Sequence, residues 1–141
     1  MSAASSAAAA IAALPDVQAF ETGAFDPARF DHEGHVHVAW CYLRTYPLPE
    51  AIARFTTALR ALTIKLDIPR KYHETISWFF MIEIADRQAT NPEDTWDTFK
   101  RKNSDLFEDA STLLHRHYSP ERLASDIARS RFVLPDRAPV A

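Results

Sequence analysis

"KYHETISWFF", residues 71–80, sets a histidine and a carboxylate at the mouth of a very apolar segment. From His73 to about Ala89, apolar side chains fall on nearly every side of a 3.6-residue period, which predicts a helix buried at the centre of a helical bundle. The wider composition agrees. Two glycines stand against nine prolines, and there is neither an Asn-Gly nor an Asp-Gly pair. Hairpin turns need such residues at positive φ, whereas helices can be punctuated by proline alone. The expectation is an all-α fold, a compact bundle of five or six helices.

Moving outward, proline marks the helix starts. "DPARFDHEGHVHVAWCYLRTY" offers Asp26 and Pro27 as an opening, with the main helix predicted from about Asp31 to Thr45. "PLPEAIARFTTALRALTIKL" places Ile52, Phe55, Leu59, Leu62 and Leu66 at helical spacing. "NPEDTWDTFKRK" suggests a helix capped by Asn91, with Pro92 in first position and Glu93 and Asp94 against the dipole. Ser104 to His117 read as one further helix, and Ser119-Pro120-Glu121 starts a short last one. "RFVLPDRAPVA" reads as an extended end, with Phe132, Val133 and Leu134 lying across the bundle.

With 141 residues the chain fits one domain large enough to bury a core. Residues 1–20 read as an Ala/Ser-rich disordered leader and 21–141 as the helical domain. The leader is no export signal by its charge, since the first basic residue is Arg29. A net charge of -3, with both signs interspersed, leaves no basic footprint for nucleic acid and no case for a membrane partner. One cysteine, Cys41, excludes an internal disulfide and fits a reducing, cytoplasmic compartment. Self-association as a homo-oligomer is compatible with all of this.

Helical spacing sorts the histidines. His32 and His35 extend the stripe Val36, Ala39, Trp40, Leu43 towards its N-terminal end, so both are expected to point inward. His37 falls with Cys41 and Arg44 on another face. His73 heads the line Ile76, Phe80, Ile84. In an up-down-up bundle the two helix starts are neighbours, so His32, His35 and His73 could jointly hold a divalent transition metal such as Zn, Fe or Mn. Glu74 would be a further ligand or the general base on bound water. The other reading of each histidine is a core residue satisfied by a backbone carbonyl or a tyrosine.

Arg70 and Lys71 precede the same helix, whose first amides are free donors, which suits a small anionic molecule. Tyr72 would line that pocket. Glu83 reads as a structural partner for Arg54, Arg60 or Arg87. His115 and His117 read as cations opposing a helix C-terminal dipole.

Three stretches are similar to those shared by a group of small bacterial hypothetical proteins of unknown function. They are His32, His35, Ala39, Trp40, Tyr42 and Leu43; Tyr72, His73, Glu74, Thr75, Ile76 and Ser77; and Ser125, Ala128, Arg129, Phe132, Pro135 and Asp136. The resemblance implies no activity, but it directs attention to Ser125, Arg129 and Asp136. Arg129 becomes a candidate ligand contact, and with Asp136 it either positions the C-terminal segment as a lid or pairs as a structural ion. The leading expectation is a metal-dependent enzyme acting on a small anionic molecule. The alternatives are a non-catalytic small-molecule or metal-binding module, and an interaction protein with structural histidines.

Overall fold

In the computed structural model, residues 16–23 and 31–137 are described. The proposed Asp26–Pro27 opening and most of the proposed leader lie outside them. Among the described residues every regular element is helical, and there is no strand. The chain divides at Pro69 into two compact units, Met1–Pro69 and Arg70–Ala141.

The first unit contains α1 (Asp16–Thr22), α2 (His32–Thr45) and α3 (Leu48–Lys65). The Asp31 carboxylate caps α2, accepting from the Gly34 amide at 2.8 Å. Pro47 and Pro49 open α3, where missing N–H groups cost nothing. Its buried stripe is Ala51, Ile52, Phe55, Leu59 and Leu62, at the three-and-four spacing that the sequence displayed. These residues meet Phe20 of α1, which stacks on Phe55 at 5.5 Å, and Tyr42 of α2, which meets Phe55 edge-on at 5.9 Å. Fully burying one such ring stabilises the unit by about 1.5–3 kcal/mol. Helix α3 stops at Asp67, whose φ of 59° lets the Ile68 amide return to the Thr63 carbonyl at 2.8 Å. That left-handed closure satisfies the last carbonyls of the helix.

The second unit is built on α4 (Glu74–Thr90), which follows a 3-10 turn at Pro69–Lys71. Thr75, Phe79, Met81 and Ile84 are buried, whereas Ile82 is 40% exposed. Apolar character on every side therefore overstated the burial of this helix. After it come α5 (Trp96–Lys102), α6 (Asp105–Glu108), α7 (Ala110–His115), α8 (Pro120–Leu123) and α9 (Asp126–Ser130).

Two expectations for this stretch need correcting. Asn91 ends α4, and the cap of α5 is Thr95, whose hydroxyl accepts from the Thr98 amide. Residues 91–94 close a turn instead, with the Asp94 amide on the Asn91 carbonyl and the Asp94 carboxylate held by Lys102. The helix expected from Ser104 to His117 is broken into α6 and α7 at Asp109, whose φ of -127° and ψ of 29° are not helical. Arg87 holds this corner, pairing with Glu83 at 3.0 Å and forking onto both oxygens of Asp105 at 2.6 and 2.8 Å. Glu83 thus has the structural partner that its position suggested.

Candidate functional site

His73 is the cap of α4. Its extended backbone, φ -137° and ψ 111°, turns the imidazole back over the first turn, where Nδ1 accepts from the Ile76 amide at 3.1 Å. An acceptor at Nδ1 requires the proton on Nε2, and Nε2–H donates to the Leu123 carbonyl at 2.7 Å. The ring therefore joins the start of α4 to the end of α8, with both nitrogens in use. Burial holds His73 below the usual histidine pKa; the Leu123 carbonyl opposes that shift and the nearby Arg129 charge adds to it. The neutral tautomer is the one this geometry needs.

Two residues further on, Thr75 is wholly buried. Its hydroxyl lies 2.7 Å from the Ala128 carbonyl and 2.8 Å from the Arg131 carbonyl, and it accepts from the Val133 amide at 3.2 Å. A hydroxyl has one proton to give, so the two carbonyls share it. Trp78, a helical turn beyond, stacks on Phe132 at 5.1 Å. The residues after α9 are thereby strapped across the start of α4.

The same strap is tied at its far end. The Asp136 carboxylate accepts from the Ser119 amide at 2.7 Å and the Ser119 hydroxyl at 2.6 Å, while the Tyr118 hydroxyl donates to the Val133 carbonyl at 2.7 Å. Those Ser119 bonds hold the Asp136 carboxyl below the usual carboxylate range. Arg122 reaches the Leu134 carbonyl at 2.8 Å. Val133 is buried and Phe132 half-buried, whereas Leu134 is 71% exposed.

Arg129 and Asp136 are not paired with each other. The Arg129 guanidinium donates to the Arg70 carbonyl, and Asp136 serves Ser119. Ser125 caps α9 through the Ala128 amide and donates to the Arg122 carbonyl. The Tyr72 hydroxyl donates to the Glu74 carboxylate, which sits in the first turn of α4, where negative charge is favoured. Arg70, Tyr72, His73, Glu74 and Arg129 are thus brought together at one helix mouth, with Lys71 exposed in the turn before it.

In the first unit, His32 is exposed, contrary to the inward direction that helical spacing implied. It is the first residue of α2, a turn ahead of the packed stripe. His35 is half-buried and meets the Phe55 ring edge-on at 6.0 Å. Burial, with a smaller contribution from His32, lowers its pKa to about 4. His37 is half-buried against Trp40, and Cys41 is buried packing. Among the described residues no group of three or more His, Cys, Asp or Glu side chains is placed to hold a metal ion. No helix among them is long and apolar enough to cross a membrane.

Thr75 and Leu123 are the residues at this mouth that sequence reasoning passed over. Thr75 stood inside a quoted stretch without a role, and Leu123 acts through its backbone. Compared with family models, curated proteins and solved structures, the chain matches none.

Proposed function

We propose that His73 and His35 hold the fold rather than serve a metal-dependent reaction, the reading of an interaction protein with structural histidines. One observation carries the reading: both ring nitrogens of His73 are bound to backbone, at Ile76 and Leu123. The neighbouring candidates are spent the same way, Glu74 on Tyr72 and Arg129 on the Arg70 carbonyl. A metal-dependent enzyme acting on a small anion needs several of these groups released.

Releasing the two His73 bonds costs about 1–3 kcal/mol in net terms. A structural zinc site supplies roughly 10–16 kcal/mol. Elemental analysis, not energetics, therefore decides between the readings. Chain purified without chelator, then incubated with Zn, Fe and Mn and desalted, is expected to be metal-free and unshifted in its melting temperature. Stoichiometric metal that His73→Ala removes would overturn the proposal.

A specific observation favours a second reading, a metal-binding module in the first unit. His32 and His35 lie one turn apart on α2, and burial lowers the His35 pKa to about 4, which favours the neutral ring that a ligand needs. His32→Ala and His35→Ala in the same assay separate this from a site at His73.

A further inference from the structure

We draw no further inference here: the strongest candidate, the exposed apolar run Ile64, Leu66 and Ile68 where α3 ends in the turn at Asp67, carries nothing because nothing in the structure shows what covers it.

Discussion

The Nε2 atom of His73 lies 2.7 Å from the carbonyl oxygen of Leu123, fifty residues along the chain. With Nδ1 capping α4, a single side chain both starts a helix and fastens another to it. Replacing His73 by Ala removes the cap, worth about 1 kcal/mol, and the Leu123 bond, worth about 1 kcal/mol more. Asn keeps a capping acceptor but is too short to replace the imidazole at Leu123. In urea unfolding, His73→Ala is expected to lose about 2 kcal/mol and His73→Asn about half of that. Equal losses would show that the cap contributes nothing, and an Asn variant as stable as the wild type would show the same of the Leu123 bond.

Thr75 offers a sharper test, because Val has nearly its shape without its hydroxyl. Thr75→Val leaves two carbonyls and one amide short of a partner in a buried place. The expected loss is about 2–4 kcal/mol, with Thr75→Ser retaining most of the stability. A Val variant as stable as the wild type would contradict the assigned role.

Acid should weaken the fold through its neutral histidines. For His35 the folded pKa of about 4 lies below the ordinary 6.5, so the unfolded chain binds the extra proton first. The stability this provides is complete above pH 6.5 and is lost as pH falls from 6.5 towards 4, at no more than about 1.4 kcal/mol per pH unit. His73 acts in the same direction. Unfolding free energies at pH 7 and pH 5 should therefore differ more in the wild type than in His35→Gln. Parallel losses in the two proteins would count against it.

Arg87 is a test of geometry rather than charge. Lys preserves the charge but cannot fork onto both Asp105 oxygens while also reaching Asn103 and Glu83. Arg87→Lys should cost about 1–2 kcal/mol, with the partly exposed Asp105 supplying the smaller share. A double-mutant cycle with Asp105→Asn measures that share directly.

The strap has its own readout. Asp136→Ala unties Ser119, and the Arg137 amide, now on the His117 carbonyl at 3.0 Å, should exchange faster with solvent. The Val133 amide, held by Thr75, should change less. Uniform acceleration at both would mean that the strap opens as one piece and that Thr75 is no independent tie.

Much of the fold was legible where the signals were local. Asp31, Pro47 and the apolar periods of α2, α3 and α4 placed those helices to within about two residues, because caps and periodicity act over one or two turns. Asn91 misled for the same reason. Its Asn-Pro-Glu-Asp sequence fits a helix start, yet Thr95 supplies the cap and residues 91–94 form a turn. The break at Asp109 has no such signal around it. At the helix mouth, sequence could nominate Arg70, Tyr72, His73, Glu74 and Arg129 but not which groups each would bond. Leu123, Ala128, Arg131 and Arg70 all take part through carbonyls, which every residue has, so nothing in their identity marks them.

The most direct test is the protonation of the His73 ring itself. Long-range nitrogen–proton correlation spectra of the imidazoles at pH 7, recorded with and without equimolar zinc, read it out atom by atom. The account predicts a neutral ring with its proton on Nε2, an acceptor-like Nδ1 and no change on adding zinc. A His73 nitrogen signal displaced by zinc, together with loss of the Ile76 amide bond, would contradict it.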